Sequence, residues 1–346
     1  MSSPEPGTPA RPSRGGVPRV LGRPTLSFEL FPPRNLDAAP RTWQTVRALE
    51  AVRPDFVSVT YGASGRTRTT SRALVSRILR ETTLTPIAHL TCVGASQEEV
   101  ATIVGEFLDE GVRSFLALRG DPPTGEESWR PHPQGLTSAA ELVGLLRALE
   151  AERCEADPAQ AVRGRVKPLS IAVAAFPRGN APAGRTRAQD VAALLAKQRA
   201  GADFAITQVL YEASDYVELV AEARAAGVTI PVVPGLLATT DPARLVRTQE
   251  LTGVPVPRAL LDLLGSASDE AQRHRRGIRF TADLVRGVLD GGAPGVHLYT
   301  FNRPEAALDL LDVAGLTSRP TPTTPPATSE EARGTAPRSS DVPVPR

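Results

Sequence analysis

The sequence predicts an α/β chain closed into a (β/α)8 barrel of the TIM type, on three observations. First, eight short runs of β-branched and apolar residues recur along the chain; runs this short and this apolar match strands buried on both faces, as in a parallel sheet. Second, each run is followed by a longer segment whose apolar residues fall at helical spacing, and repeated β/α alternation argues for parallel strands joined by helical crossovers. Third, the stretch between two low-complexity ends is about 290 residues, a usual size for one barrel domain. The rival, an open doubly wound sheet, usually carries fewer strands and, for dinucleotides, a glycine-rich first turn. Neither G-x-G-x-x-G nor G-x-x-x-x-G-K-[ST] occurs here.

The runs, in order, are Thr25–Phe31, Phe56–Thr60, Ile87–Thr91, Ser114–Leu118, Leu169–Ala174, Phe204–Gln208, Ile230–Val233 and Val296–Thr300. After the third, Ser96 is a candidate N-cap for a helix opening at Gln97-Glu98-Glu99. Its apolar positions Val100, Ile103, Val104 and Phe107 share one face, and Gly111 follows its end. By the same logic a helix over Arg187–Ala200 stops at Gly201, and one over Ser214–Ala226 stops at Gly227. The long segment before the eighth run has room for two or three helices.

The ends of the chain differ in kind. Residues 1–23 and 317–346 are dominated by Pro, Ser, Thr, Ala and Arg. With so little to bury they cannot offset the entropy of ordering, so disordered tails are expected around a catalytic barrel at 24–316. Residues 1–23 also lack the apolar core of a signal peptide. No apolar run approaches the roughly 20 residues of a membrane span. The formal net charge of +2 gives no reason to expect a nucleic-acid partner. Two distant cysteines, Cys92 and Cys154, form no CxxC pair. Neither a metal site nor a disulfide framework is therefore expected, and a reducing, cytoplasmic compartment fits.

In such a barrel the active site lies at the C-terminal ends of the strands. There the runs present Glu29, Thr60-Tyr61-Gly62-Ala63, His89, Arg119-Gly120-Asp121, Phe176-Pro177-Arg178-Gly179-Asn180, Gln208 and Tyr299-Thr300-Phe301-Asn302-Arg303. Glu29 stands out, because it lies between Phe28 and Leu30–Phe31 in an apolar strand and glutamate is rarely buried without a partner. An apolar setting raises a carboxyl pKa and makes it a general acid; a buried salt bridge, for instance to Arg119, is the other reading. Gly120 allows close backbone approach to a ligand. Arg119 can bind a phosphate or a hydroxyl and Asp121 a heterocycle edge, or the two can simply pair across a turn.

Six motifs, in order, then carry a resemblance to a known family: Ser27–Pro33, Pro54–Ala63, Ala88–Cys92, Leu116–Pro122, Ala205–Gln208 and His297–Arg303. The chain resembles the catalytic domain of the methylenetetrahydrofolate reductases over about Thr25–Leu316. The resemblance implies reduction of 5,10-methylenetetrahydrofolate to 5-methyltetrahydrofolate, in support of methionine synthesis. NAD(P)H, with NADH expected, first reduces a non-covalent FAD, which then passes a hydride to the folate. It implies Glu29 as the general acid at folate N10, opening a ring to a reactive iminium cation. Asp121 would tune folate and flavin, and Gln208 and Arg303 would bind folate. Thr60, Tyr61, Ala63, His89, Leu118, Arg119 and Gly120 match FAD-contacting positions, as do Phe176 and Asn180 in the loop after the fifth strand. Asp190 and Lys197, spaced seven apart on the next helix, would meet a ribose and a phosphate. A homo-oligomer is expected, and feedback through a C-terminal regulatory domain is not.

The sequence departs from the family in one place. An aromatic-Pro-x-x-His-Pro-Glu stretch is usual after the fifth strand; here it reads Phe176-Pro177-Arg178-Gly179-Asn180-Ala181-Pro182, followed by one extra residue before Asp190. Two alternatives follow: a flavin-independent reductase with direct hydride transfer from NADH, and a barrel that binds folate without catalysis. An unrelated FAD barrel oxidising an amino acid such as proline would share only the fold.

Overall fold

A computed structural model describes residues 23–61, 65–121, 130, 132–156 and 168–316, without side-chain detail at 65–67 and 154–156. Ala63 and, apart from Arg23, the expected tails lie outside the described residues. Eight parallel strands close into a barrel in sequence order. They are β1 (Thr25–Leu30), β2 (Phe56–Val59), β3 (Pro86–Thr91), β4 (Ser114–Leu118), β5 (Ser170–Ala175), β6 (Phe204–Val209), β7 (Val232–Leu237) and β8 (Gly295–Tyr299). Among the described residues the helices are α1 (Ala39–Ala51), α2 (Gly65–Glu81), α3 (Gln97–Asp109), α4 (Ala139–Ala156), α5 (Arg187–Arg199), α6 (Ala213–Ala225), α7 (Pro242–Thr252), α8 (Arg258–Gly265), α9 (Glu270–Asp290) and α10 (Pro304–Ala314). The expected (β/α)8 barrel is therefore what forms.

The pleat decides which side chains reach the centre, because neighbours along a strand face opposite ways. Phe28, Leu30, Val57, Val59, Leu90, Val296 and Leu298 are buried in the main core with helix residues such as Val46, Val104 and Leu310. Phe56, Ile87, Leu116, Ala172, Phe204, Ile206 and Val233 form a separate cluster that plugs the lower barrel. Above that plug, the same inward rows continue with Glu29, His89, Leu118, Gln208 and Tyr299.

Local signals set the helix ends as expected. Ser96 and Glu99 form a reciprocal capping box on α3, whose Val100, Val104 and Phe107 are buried. Thr186 and Gln189 do the same for α5. The segment between β7 and β8 holds α7, α8 and α9.

One strand was misplaced by the sequence reading. The seventh run was expected over Ile230–Val233, ended by Pro234-Gly235, but β7 passes through both residues to Leu237. Pro and Gly read locally as a stop, yet the β6–β7 register shifts between Ile206 and Val209, which is where a proline without an N–H is tolerated. Gly235 N–H donates instead to Thr207 Oγ1 at 2.8 Å.

Candidate active site

The barrel mouth holds a cavity of about 530 Å3. Glu29 forms part of its floor. Its outward neighbours Phe28 and Leu30 are wholly buried, which turns the carboxyl inward, where its side chain is 12% exposed. The nearest charge-bearing group is His89 Nε2 at 3.8 Å, beyond hydrogen-bond reach. Burial with no compensating donor pushes the Glu29 carboxyl up to about 8. It is therefore protonated at neutral pH. The ion pair with Arg119 does not form: Arg119 lies 3.9 Å from Asp121 and donates to Gly120 O.

Three more buried polar groups surround Glu29. His89 is held neutral by burial, its pKa lowered to about 3, and its Nε2 has no partner. His297 is lowered to about 3 as well, by burial and then by His89. It is fixed by Ser27 Oγ at 2.8 Å on Nδ1 and Ser58 Oγ at 3.4 Å on Nε2, and it stacks on Phe56. Tyr299 Oη donates to Thr207 O at 2.7 Å, and burial, then the Glu29 charge, raises its pKa well above the ordinary range. Glycine at 235 makes room for it, since a Cβ there would lie 2.7 Å from Tyr299 Oη and closer still to Thr207 O.

The opposite wall is built from β5, α5 and the loop between them. Lys197 Nζ donates to Ala174 O at 2.8 Å. Burial lowers its pKa to about 8, with Asp190 opposing. Asp190 accepts from Asn180 N–H at 2.6 Å and pairs with Arg185 Nε at 3.2 Å. The loop is wound tightly. Gly179 has φ 84°, and a Cβ on it would meet Arg185 O at 2.5 Å. Asn180 Oδ1 caps the short turn at Ala181–Ala183, while Asn180 O accepts from Arg185 N–H. Arg185 was not singled out from the sequence. It lies 9 residues beyond Phe176 in a loop without periodicity, so only the tertiary contact with Asp190 marks it.

Of the residues singled out from the sequence, Glu29, Thr60, His89, Leu118, Arg119, Gly120, Asp121, Phe176, Asn180, Asp190, Lys197, Gln208 and Tyr299 line this one cavity, with Arg185 added. Asp121 stands at the rim, 93% exposed. Gln208 Oε1 accepts from Val209 N–H at 2.9 Å. Two residues fall outside the lining. Tyr61 packs below Arg68. Arg303 is exposed at the start of α10; burial, and then the Arg303 charge, lowers the pKa of Arg244. No group of three or more His, Cys, Asp or Glu among the described residues could hold a metal ion. No described helix is long and apolar enough to cross a membrane.

Known proteins share both the sequence and the fold. A family model described as methylenetetrahydrofolate reductase matches residues 18–315. The chain is 30% identical over 298 residues to a 5,10-methylenetetrahydrofolate reductase of Salmonella typhimurium, covering 86% of this chain and 93% of that one. It is 31% identical over 298 residues to that of Pectobacterium carotovorum, covering 86% and 92%. A maize protein named methylenetetrahydrofolate reductase (NADH) 1 is 27% identical over 318 residues, covering 88% of this chain and 51% of that one. Among solved structures, an uncharacterized Clostridium thermocellum protein that binds two copies of 5-methyl-5,6,7,8-tetrahydrofolic acid aligns with a TM-score of 0.54 at 11% identity, covering 85% of this chain and 95% of that one; this shows a shared fold. With its mouth lined by the residues of the six motifs, the chain belongs to the methylenetetrahydrofolate reductase family of enzymes.

Proposed function

We propose that the protein reduces 5,10-methylenetetrahydrofolate to 5-methyltetrahydrofolate with electrons from NADH, through a non-covalently bound FAD. The observation that carries this reading is Glu29: a carboxyl on the cavity floor, protonated at neutral pH because nothing there stabilises its charge. A proton held this way can be given to folate N10, which weakens the bond to the bridging carbon and leaves that carbon open to hydride. On this reading Gln208 hydrogen-bonds the folate ring, Asp121 faces ligands from the rim, and Arg303 meets a carboxylate outside the mouth.

The opposite wall fits a dinucleotide cofactor. His89 offers a buried nitrogen with no protein partner. The Lys197 ammonium has three donors and gives one to Ala174 O. Gly120, at φ 84°, brings backbone to the cavity where a Cβ would be 2.5 Å from Val93 Cγ1. On this reading Thr60, His89, Leu118, Arg119, Gly120 and Phe176 hold the ring system, and Asp190 and Lys197 the ribose and phosphates. When bound there, FAD would supply the hydride chemistry between nicotinamide and folate. The NADH preference rests on the name of the maize relative. A cytoplasmic homo-oligomer serving methionine synthesis completes the proposal.

One observation favours a second reading, direct hydride transfer from NADH without flavin. In the loop at 176–185, Asn180 spends its backbone N–H on Asp190 and both its carbonyl oxygens on the loop's own turn. The absorption spectrum of the purified protein decides. A yellow preparation with a flavin band that NADH bleaches supports the first reading. A colourless preparation that turns over folate and gains nothing from added FAD supports the second.

A further inference from the structure

Phe301 and Asn302 are consecutive non-glycine residues in the left-handed region, with φ of 50° and 56°. For a bulky aromatic this is a steric outlier, and such strain survives only where the surroundings over-determine it. The surroundings here are the end of β1. Asn302 Oδ1 accepts from Phe31 N–H at 2.8 Å and Asn302 Nδ2 donates to Phe31 O at 2.8 Å, so one amide clasps both polar groups of one residue. The Phe301 ring lies parallel to the Phe31 ring, 5.6 Å between centroids. Thr300 Oγ1 donates to the Glu29 carbonyl at 2.7 Å and accepts from Asn302 N–H at 3.2 Å. Thr45 Oγ1 closes the assembly by donating to Asn302 O at 3.2 Å.

The grip falls on the two residues that flank Leu30: Glu29, the last residue of β1 paired with β8, and Phe31, just past the end of the strand. It falls where the side chain cannot help itself. The Glu29 carboxyl lies 3.8 Å from His89 Nε2 and makes no hydrogen bond. A group without a partner takes its direction from the backbone that carries it. Asparagine suits the task, because it tolerates a left-handed backbone better than most residues and offers an acceptor and a donor side by side.

We propose that Asn302 is a positioning residue for Glu29: the Thr300–Asn302 turn clamps the end of β1 and sets where the Glu29 carboxyl meets its substrate. This rests on the reading of Glu29 as the proton donor.

Three substitutions separate this role from a merely structural one. Asn302→Gly relieves the left-handed strain while deleting the clasp. Asn302→Asp keeps the acceptor for Phe31 N–H but sets a charge against Phe31 O. Thr300→Val removes the hydroxyl on the Glu29 carbonyl. The readouts are kcat and KM for folate reduction across pH, NADH oxidation by an artificial electron acceptor, and thermal stability. In Asn302→Gly, kcat for folate should fall about tenfold or more from misplacement of the acid, while the folate KM moves by less than about threefold. The alkaline limb of the kcat profile should shift to lower pH as the carboxyl gains water, with acceptor-linked oxidation and Tm held near the parent. Thr300→Val should show the same signature more weakly, and decides the matter if the Asn302 variants do not fold. Parental kcat and an unmoved alkaline limb in the folded variants overturn the proposal. Undiminished folate turnover in Glu29→Gln would instead remove the reading on which it rests.

Discussion

The two walls of the barrel mouth each bury an ionisable group, and burial treats them as mirror images. Glu29 is pushed up to about 8 and Lys197 down to about 8, in both cases chiefly by loss of water. Their surroundings differ. Glu29 sits among neutral groups: His89 and His297, both held uncharged, and the phenol of Tyr299. Lys197 has a carbonyl at 2.8 Å and the Asp190 carboxylate opposing its loss of charge. A buried group with no partner keeps its proton available to whatever enters, whereas a partnered one is held in place and serves to bind. On the proposed reading, the floor serves proton transfer and the β5–α5 wall holds an anion.

The contrast can be broken most sharply at Glu29. Glu29→Gln keeps the size and the hydrogen-bonding capacity but removes the transferable proton, so folate reduction should drop by about 10²–10⁴-fold. NADH oxidation by an artificial acceptor should persist, which a stopped-flow comparison of the two reactions would reveal. Next in size is Gly235→Ala. Its methyl would press on Thr207 O and Tyr299 Oη and should cost about 2–3 kcal/mol in chemical denaturation; a variant within error of the parent would mean that Tyr299 is free to move.

Stability against pH sharpens the same comparison. The folded-state pKa of Glu29, about 8, lies above its ordinary 4.5. The stability linked to it is therefore complete below pH 4.5 and is lost as pH rises through 8. Glu29→Gln does not ionise, so it should be more stable than the parent at pH 9 and no more stable at pH 4; equal melting curves at both would show that the carboxyl is hydrated. The smallest effect belongs to the other wall. Lys197→Met should weaken FAD binding about tenfold, the worth of one charge-assisted hydrogen bond, while leaving the alkaline limb of folate turnover in place. A shift of that limb would show that the two walls are coupled.

Much of this was legible in the sequence because it depends on short-range pattern. The eight runs, the capping signal at Ser96 and the placing of Glu29 inside an apolar strand all follow from residues within a few positions of one another. β7 was misread because Pro234-Gly235 is a stop signal locally, while the irregular register against β6 that tolerates it involves residues about 25 positions away. Arg185 was invisible for a related reason: nothing near it in sequence says that its guanidinium will reach Asp190 across the loop. Asp121 and Arg119 could be named as rim residues, but their spacing could not say whether Arg119 would neutralise Glu29 or turn to its neighbour; the fold chose the neighbour.

The sequence by itself determined the alternation of eight strands with helices, since runs of apolar residues and a helical period of 3.6 are properties of consecutive residues; which face of each doubly buried strand points to the centre was decided by the closing of the barrel. Only the tertiary structure decided that Glu29 would be neutral and that a turn 271 residues away would hold its backbone. Desolvation, and the meeting of the first strand with the last, arise when the barrel closes, from neighbours that no local pattern records.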